Sequence, residues 1–522
     1  MYAETPPPVS VLVEFDARDL AAAQRAVSKV EAYGGVCTHR FLPGGCIGEL
    51  AANVDQALLN EPEIAGVHRE PVDASVLALR SDGLSLAALV WNDVFVGPPP
   101  QSMATQEDVP PPPADALLPP DLDMAEIKLA DTATASPGYY QTSEFMAGDV
   151  AVGIILPESD GSVDPSSENW STARQDEVVA EIVAAFNWWA VRSGVPGLVS
   201  FTYRVERSVP TGYEPITRPQ SDEGLWIGDV LGRLGYSDTG YFSRARHYVN
   251  DLRSQYGTDW AFAVFVVDDL NDVDNYFAPN PVTEARLFAY AYLGGPFMVM
   301  TYGNNGYGPS NMDAVMAHEV GHIFLALDAY PNSSDCRWYG GYLYIQNSNS
   351  LTPSTDVCGV GVPCIMRGQI APYTSGAVSA SARQQLGWRD SDGDGLFDPV
   401  DTAVGLSVWT AEHGTSSLGA SWRIAGYAVD YPWPSPTRTD VTINRVEQVQ
   451  FQVDGGVWHN AACDDGLCDE PYETFSFSTG PLSEEAHMVT VRAVNSVGNA
   501  IEHELEVKPL GFYRIHLPLV VK

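Results

Sequence analysis

The residues with the clearest chemical potential form a pentapeptide, His318-Glu319-Val320-Gly321-His322. On an α-helix, residues four apart lie on one face, so both imidazoles can reach a single ion. A glutamate beside the first histidine can hold a water at that ion and take its proton. The pattern therefore predicts that His318 and His322 bind zinc and that Glu319 is a general base. The alternative is an ordinary amphipathic helix with a buried histidine pair.

A third zinc ligand has to come from the chain that follows the second histidine. On a straight helix, Asp328 would lie about 15 Å along the axis from His318, which is out of reach of the ion. We therefore expect the helix to end just after His322 and the chain to reverse, which returns the Asp328 carboxylate to the two rings. Two imidazoles and one carboxylate leave the fourth zinc position for water. Asp335 and Asp356 are the alternative third ligands.

The stretch HEVGHIFLALDAY resembles the zinc-binding segment of the metzincin peptidases, whose pattern is HExxHxxGxxH or HExxHxxGxxD. It is most similar to the immune-inhibitor-A-like bacterial peptidases, which carry an aspartate and a tyrosine at the positions of Asp328 and Tyr330. The family's turn glycine falls on Leu325, where a left-handed backbone costs a non-glycine residue about 1 kcal/mol or more. The resemblance implies a peptidase whose third zinc ligand is Asp328.

Two further residues have counterparts in the same family. Cys364-Ile365-Met366-Arg367 resembles the Met-turn that lies beneath the metzincin zinc, which implies that Met366 forms an apolar floor and is not a ligand. Some metzincins place a tyrosine after this turn to stabilise the oxyanion, and Tyr373 is the candidate here, with a structural tyrosine as the alternative. The Met-turn-like segment argues against a thermolysin-like site, in which a distant glutamate is the third ligand.

A second metal-binding pattern follows in the twelve residues DSDGDGLFDPVD, 390–401. They fit an EF-hand-like calcium loop, with oxygen ligands at positions 1, 3, 5, 7, 9 and 12 and glycine at position 6. The predicted calcium ligands are Asp390, Asp392, Asp394, the carbonyl of Leu396, Asp398 and Asp401. We expect this calcium to brace the structure between two domains. A solvated acidic turn is the alternative.

The composition limits the classes of partner. The chain has 522 residues, with 67 acidic and 28 basic ones and a formal net charge of −39. Because this excess of negative charge repels nucleic acid and anionic membranes, we exclude both as partners. The sequence has no run of about 18 apolar residues, so no membrane span is predicted. The expected partner is a protein or peptide substrate.

Seven cysteines fall in close groups, which predicts local disulfides and an oxidising, extracellular compartment. They are Cys37, Cys46, Cys336, Cys358, Cys364, Cys463 and Cys468. A Cys37–Cys46 disulfide is expected, and a thiolate from one of these two on the zinc is the alternative. Cys463 and Cys468 could staple one loop. The start, MYAETPPPVS, has no signal-peptide features. Because the cysteine pattern indicates an extracellular compartment, we predict secretion, with the signal peptide absent from this chain.

The N-terminal part of the chain predicts a small domain followed by a linker. Residues 1–95 show strand and helix patterns in the order β-α-β-β-α-β, which predicts a ferredoxin-like fold. The stretch GGVCTHRFLPGGCIGELAA resembles the inhibitory propeptides of secreted proteases, which implies latency. Residues 96–146 contain Pro98–Pro100 and Pro110–Pro113, and predict an exposed linker with a site for activating cleavage.

The remainder predicts a catalytic domain and a β-domain. Residues 147–389 indicate a mixed, twisted sheet with helices, in which the stretch AYAYLGG would align substrate by strand addition, as its family position implies. Residues 390–403 hold the calcium loop. Residues 404–510 alternate strands and turns, which is typical of an immunoglobulin-like β-sandwich. Residues 511–522 form a short apolar tail.

Taken together, these patterns predict a multidomain α+β protein with a metzincin-like catalytic domain. The expected function is that of a secreted zinc endopeptidase made as a zymogen. The alternative is a non-catalytic, calcium-dependent surface-binding or adhesion protein that retains the peptidase fold, although an intact Glu319 argues against it. In either case the sandwich could bind a surface or a glycan.

Overall fold

A computed structural model describes most of the chain. The described residues are 8–97, 116–120, 135–331, 333–352, 358–416, 419–483 and 485–508. The proline runs at 98–100 and 110–113, the alternative ligand Asp356 and the tail at 511–522 lie outside them. The chain divides into two compact units. The first is Met1–Lys128, Pro137–Arg389 and Ser435–Arg438, and the second is Leu129–Ser136, Asp390–Pro434 and Thr439–Lys522.

The first unit contains all ten α-helices of the described residues and twelve strands. The strands are β1 Pro8–Phe15, β2 Val36–Phe41, β3 Gly45–Ala51, β4 Ile64–His68, β5 Ala116–Leu117, β6 Gly148–Ser159, β7 Val199–Thr211, β8 Trp260–Val267, β9 Ala289–Tyr292, β10 Phe297–Thr301, β11 Tyr339–Gly340 and β12 Ile345–Gln346. The helices are α1 Leu20–Ala32, α2 Asp55–Leu58, α3 Ala74–Leu77, α4 Asp82–Val90, α5 Thr172–Arg192, α6 Glu223–Arg233, α7 Tyr241–Tyr256, α8 Met312–Ile323, α9 Ile370–Ser375 and α10 Ala380–Gln385.

Local sequence explains where the long helices begin and end. The Ser171 hydroxyl accepts a hydrogen bond from the Arg174 amide at 3.3 Å and caps the start of α5. Helix α7 ends at Gly257, whose φ of +65° suits a residue without a Cβ. These caps fix two helices that pack on the main sheet.

One ten-stranded sheet runs through the first unit in the order β4-β1-β3-β2-β7-β6-β8-β10-β9-β5. Strands β7, β6, β8 and β10 are parallel to one another, and β9 runs antiparallel to β10 with Met298 opposite Ala291. Every residue of β8 is buried, as expected for a parallel strand that is covered on both faces. The sheet therefore presents β9 as the antiparallel strand beyond its parallel centre.

The N-terminal strands continue this sheet. They have the order β4-β1-β3-β2, and β2 pairs in parallel with β7 at His39–Phe201 and Arg40–Thr202. The buried ring of His39 lies 2.7 Å from the Tyr203 hydroxyl, and burial lowers the pKa of His39 to about 4. The segments predicted as a propeptide-like domain and a catalytic domain therefore share one sheet within one compact unit.

The predicted extent of the exposed linker is wrong in two places. Ala116 and Leu117 form strand β5, which pairs in parallel with β9. Residues 141–146 are buried, with Phe145 at 1% and Met146 at 0% exposure. The proline-rich composition of the region predicts a linker throughout, although these short apolar stretches pack within the first unit.

The second unit consists of two antiparallel four-stranded sheets, β13-β14-β18-β17 and β16-β15-β19-β20. Its strands are β13 Ala403–Ser416, β14 Gly419–Tyr431, β15 Val446–Val453, β16 His459–Asn460, β17 Ala462–Cys463, β18 Tyr472–Ser478, β19 His487–Asn495 and β20 Ala500–Val507. The sheets share one hydrophobic core, in which the rings of Phe451 and Phe477 stack at 3.9 Å between centroids. The molecule is thus a multidomain α+β protein.

Three disulfides join Cys37 to Cys46, Cys336 to Cys358 and Cys463 to Cys468. The pairings predicted for Cys37–Cys46 and Cys463–Cys468 are confirmed. Because Cys37 and Cys46 are bonded to each other, neither offers a thiolate to a metal, and that alternative is wrong. Within the described residues, no helix combines the length and apolar character needed to cross a bilayer.

Candidate metal centre

Helix α8 carries the pentapeptide and is buried along its whole length. It packs against α5, where the Trp189 indole donates to the Ala317 carbonyl at 2.8 Å, and against strand β9. His318, Glu319 and His322 are each no more than 1% exposed. Burial on this scale holds the three side chains in fixed positions inside the unit.

Three acceptor-rich side chains meet at one point beside α8. The Asp328 Oδ1 atom lies 3.2 Å from His318 Nε2 and 3.1 Å from His322 Nε2, and the two Nε2 atoms are 3.2 Å apart. Asp328 is 1% exposed. The structure therefore brings together the three residues that the sequence predicts as zinc ligands.

Backbone carbonyls fix the tautomer of both histidines. His318 Nδ1 donates to the Ile365 carbonyl at 2.8 Å, and His322 Nδ1 donates to the Ala326 carbonyl at 2.7 Å. Because a carbonyl can only accept, each neutral ring keeps its lone pair on Nε2, which points to the shared centre. Second hydrogen bonds of this kind are usual for metal-binding histidines.

The donor set fits zinc. Two lone-pair nitrogens and a carboxylate oxygen, all within 3.2 Å of one another, repel unless a cation or a proton lies between them. Tetrahedral zinc with bonds of about 2.0–2.1 Å separates its ligand atoms by about 3.3 Å. Burial raises the pKa of Asp328, but the two imidazoles outweigh burial and hold this pKa below its ordinary value.

The chain reversal after α8 is the one that ligand geometry requires. The helix ends at Ile323, just after His322, as predicted. The Leu325 amide then bonds to the His322 carbonyl and the Ala326 amide to the Gly321 carbonyl, both at 2.9 Å, which is the Schellman pattern of helix termination. Leu325 adopts φ = +69° at the position that is glycine in the metzincin pattern HExxHxxGxxD. A leucine thus makes the left-handed turn at a cost of about 1 kcal/mol.

The loop that carries Asp328 is held from both sides. The backbone carbonyl of Asp328 accepts a hydrogen bond from the side-chain amide of Asn347 at 2.7 Å. The backbone amide of the next residue, Ala329, donates to the Met366 carbonyl at 2.6 Å. The alternative ligand Asp335 instead pairs with Arg337, whose Nε lies 2.9 Å from Asp335 Oδ1. Of these two carboxylates, that of Asp328 is the one that lies beside His318 and His322.

Met366 lies directly against the motif helix. Its side chain is fully buried, and a Cβ added to Gly321 would come within 2.4 Å of its sulfur. The preceding residue, Ile365, supplies the carbonyl that orients His318. The segment around Met366 therefore packs beneath α8 and also fixes one histidine.

Tyr373 takes part in a different group of side chains. Its hydroxyl is hydrogen-bonded to Asp313, and its ring stacks on Trp188 at 5.2 Å between centroids. Burial and the charge of Asp313 raise the pKa of Tyr373 well above its ordinary value. Asp313 precedes His318 by five residues, which is about 140° round the helix axis. The structure therefore does not place the Tyr373 hydroxyl on the face that carries the histidines, and Tyr330 is the tyrosine near His318, with 6.1 Å between ring centroids.

Sequence reasoning missed the residues that hold β9 beside the site. The buried carboxylate of Glu223 accepts hydrogen bonds from the hydroxyls of Tyr290 at 2.6 Å, Tyr241 at 2.9 Å and Tyr292. Two of these tyrosines alternate along β9, and that alternation is the one signal in the sequence. Their common partner on α6 precedes them by more than 60 residues, so only the fold reveals it.

The calcium pattern forms a loop in the second unit. Asp390, Asp392 and Asp394 are exposed and have carboxylate oxygens within 4.8 Å of one another. The carboxylate of Asp398 accepts from the Ser391 amide at 2.9 Å, and that of Asp401 accepts from the Asn499 side chain at 2.8 Å. The structure thus brings three of the five predicted carboxylates together, and all five accept hydrogen bonds from protein groups.

Comparison with known proteins places the chain in no family. No family model matches it, and no curated protein matches it. Among solved structures, it is similar to catalytically inactive OgpA from Akkermansia muciniphila in complex with an O-glycopeptide substrate, with 9% identity, a TM-score of 0.23 and coverage of 70% of this chain and 94% of that chain. Wild-type OgpA gives 11% identity, a TM-score of 0.22 and coverage of 70% and 95%. A lipoprotein from Bacteroides thetaiotaomicron gives 12% identity, a TM-score of 0.14 and coverage of 23% of this chain and 90% of that chain. Scores this low carry no argument, so the proposal below depends on the geometry of the site.

Proposed function

We propose that this protein is a zinc-dependent endopeptidase with a metzincin-like site, in which His318, His322 and Asp328 hold the metal and Glu319 is the general base. The observation that supports the proposal most directly is the convergence of two imidazole nitrogens and one carboxylate oxygen within 3.2 Å, all buried. The Met366 segment beneath α8 and the Schellman turn at Leu325 add support, because both match the resemblance noted in the sequence.

The chemistry follows from the residues around this centre. Zinc, when bound, supplies a Lewis acid that polarises a peptide carbonyl and acidifies a water. Glu319 follows His318 on α8 and would take the proton of the attacking water and return it to the leaving amine. The carbonyls of Ile365 and Ala326 keep the histidine lone pairs aimed at the centre throughout.

Strand β9 is the proposed guide for the substrate backbone. Tyr290 and Tyr292 anchor it to Glu223, and shortly after it the Gly294 amide bonds to the His322 carbonyl at 3.3 Å. A peptide that pairs with β9 on the side away from β10 would therefore run past the metal centre in a fixed register. We propose no catalytic step for Tyr373, because its hydroxyl is held by Asp313.

The remaining sequence expectations are proposals of the same kind. The strand order β4-β1-β3-β2 with α1 and α2 supports a ferredoxin-like N-terminal part, and the two antiparallel sheets of the second unit support an immunoglobulin-like sandwich that could bind a surface or glycan. The three disulfides support an extracellular site of action. The carboxylates of Asp390, Asp392 and Asp394 support a calcium loop.

The Glu319→Gln variant tests the function. We expect it to retain the zinc content of the wild-type protein, measured by atomic emission, because the amide leaves the three ligands unchanged. Hydrolysis of casein or gelatin should fall by about 10²-fold or more, because the amide cannot accept the proton.

The matched control is Glu447→Gln, the same change at an exposed position in β15, which should hydrolyse casein as the wild type does. Undiminished hydrolysis in the Glu319→Gln variant would remove this residue from the mechanism. A zinc-loaded wild type that cleaves neither protein would favour the non-catalytic, surface-binding alternative.

A further inference from the structure

Strand β9 already has a peptide on its outer side. The strand β5 pairs with it in parallel, with Ala116 opposite Ala291 and Leu117 opposite Tyr292. The Leu293 amide donates to the Leu117 carbonyl at 2.8 Å, and the Leu117 side chain packs on the hydrophobic core that includes Tyr290. This short strand is thus seated by backbone and side-chain contacts.

The strand β5 lies at the end of β9 nearest the metal centre. Two successive amides show this: that of Leu293 bonds to the Leu117 carbonyl, and that of Gly294 bonds to the His322 carbonyl at 3.3 Å. His322 is one of the three clustered side chains. A substrate that paired with β9 would need the same backbone groups, because the other side of β9 is taken by β10. Occupation by β5 and by substrate therefore exclude each other.

The same segment is a poor substrate itself. Leu118 is followed by Pro119 and Pro120, so the Leu118–Pro119 and Pro119–Pro120 bonds are imides without an N–H group. Pro119 is buried, which fixes the path of the chain as it leaves the strand. A stretch with these properties can occupy the position of a substrate and resist hydrolysis at its two proline bonds.

The N-terminal strands are too far from β9 to block it. Strand β2 joins the sheet at β7, and β6, β8 and β10 lie between β7 and β9. With neighbouring strands about 4.8 Å apart, β2 and β9 are separated by about 24 Å. Latency through the residue 1–95 region, as the propeptide resemblance implies, would not involve direct contact between β2 and β9.

We propose that strand β5 is an internal inhibitory strand, which takes the substrate position on β9 until it is displaced or cut away, while the N-terminal strands remain a lasting part of the sheet. This inference rests on the proposed peptidase function. It names Leu117 as the side chain that seats the inhibitor and the β9 backbone, up to Leu293, as the surface that it covers.

The test compares two single variants of the full-length chain. Leu117→Asp places a charge in the partly buried contact, whereas Leu118→Asp makes the same change at a side chain that is 78% exposed. After zinc loading, kcat/KM for a quenched fluorescent peptide should rise about 10-fold or more in the first variant. This is the factor by which losing the burial of one leucine side chain should weaken the seating of β5. The second variant should behave as the wild type does. Leu117→Ala, a milder change for the case that the charge disturbs folding, should shift activity in the same direction.

A second readout does not require hydrolysis. In the Glu319→Gln background, the same peptide should bind about 10-fold more tightly once Leu117→Asp is added, and amide exchange across β9 and Leu293 should accelerate. If no variant hydrolyses peptide but binding still improves, the strand inference stands and the peptidase proposal fails. Equal activity of wild type and Leu117→Asp, in a protein that Glu319→Gln inactivates, would overturn the inference. Equal binding in the two Glu319→Gln backgrounds would overturn it as well.

Discussion

Leu325 shows how one residue determines the shape of the candidate metal centre. Its left-handed backbone, with φ = +69°, ends α8 and turns the chain so that Asp328 comes back to His318 and His322. The side chain is 6% exposed, so the buried leucine offsets the cost of about 1 kcal/mol for a conformation that glycine adopts freely. A buried leucine can therefore make this left-handed turn in place of glycine.

Removal of the third ligand gives a prediction at the same scale. Asp328→Ala should weaken zinc binding by at least about 100-fold, because the ion would keep only two protein ligands, the imidazoles of His318 and His322. The control is Asp335→Ala, which removes a carboxylate that pairs with Arg337 and should leave zinc affinity near that of the wild type. Competition with a chromophoric chelator measures both. The reverse ranking of the two variants would make Asp335 the ligand.

At the scale of elements, the sequence predicts what depends on local pattern. The α8 helix and its end after His322 follow from motif spacing, and a mixed sheet within residues 147–389 follows from the strand and helix patterns there. Strand β5 does not, because two residues between prolines carry no periodicity and its partner β9 lies more than 170 residues away. The pairing of β2 with β7 and the three-tyrosine contact of Glu223 are missed for the same reason. These contacts depend on pairing between residues that are distant in the sequence, and the local sequence carries no signal of that pairing.

The contact between α5 and α8 contains a buried acid pair whose ionisation should affect stability. The Asp313 amide donates to Glu181 Oε2 at 3.3 Å, and burial together with the charge of Asp313 raises the pKa of Glu181 to about 8. In the unfolded chain this pKa is near 4.5, so unfolding between these two pH values releases a proton. The free energy of unfolding should therefore fall as the pH rises from about 4.5 to 8.

Glu181→Gln should remove the part of this pH dependence that comes from the Glu181 carboxyl. Its Tm should exceed that of the wild type at pH 8, by an amount equivalent to about 1–3 kcal/mol, and the two proteins should melt together below pH 4.5, where the wild-type side chain is neutral in both states. Thermal melting across this pH range, with Glu447→Gln as the exposed control, provides the measurement. A constant difference at every pH would point to altered packing and away from a titrating carboxylate.

For the whole molecule, the calcium loop predicts a response to chelators that is separate from that of zinc. If Asp390, Asp392 and Asp394 hold calcium, saturation at about 100 times the dissociation constant should stabilise the second unit by about 2.7 kcal/mol. Calorimetry in calcium and in a calcium-selective chelator should show a lower melting transition in the chelator. Asp392→Asn should abolish that difference, whereas Asp465→Asn, at another exposed acidic loop, should retain it. Identical transitions with and without calcium in all three proteins would leave the loop as a solvated acidic turn.

The shared sheet has a consequence for how the protein could mature. Excision of everything before the linker would strip β2 from β7 and uncover a row of main-chain donors and acceptors that now form a ladder at His39–Phe201 and Arg40–Thr202. Bare ladders of this sort recruit other molecules, which leads to self-association. A chain that lost the N-terminal strands would therefore expose the edge of β7 and tend to self-associate. Processing that avoids this should cut near β5 and leave the N-terminal fragment bound through β2, as a two-chain assembly.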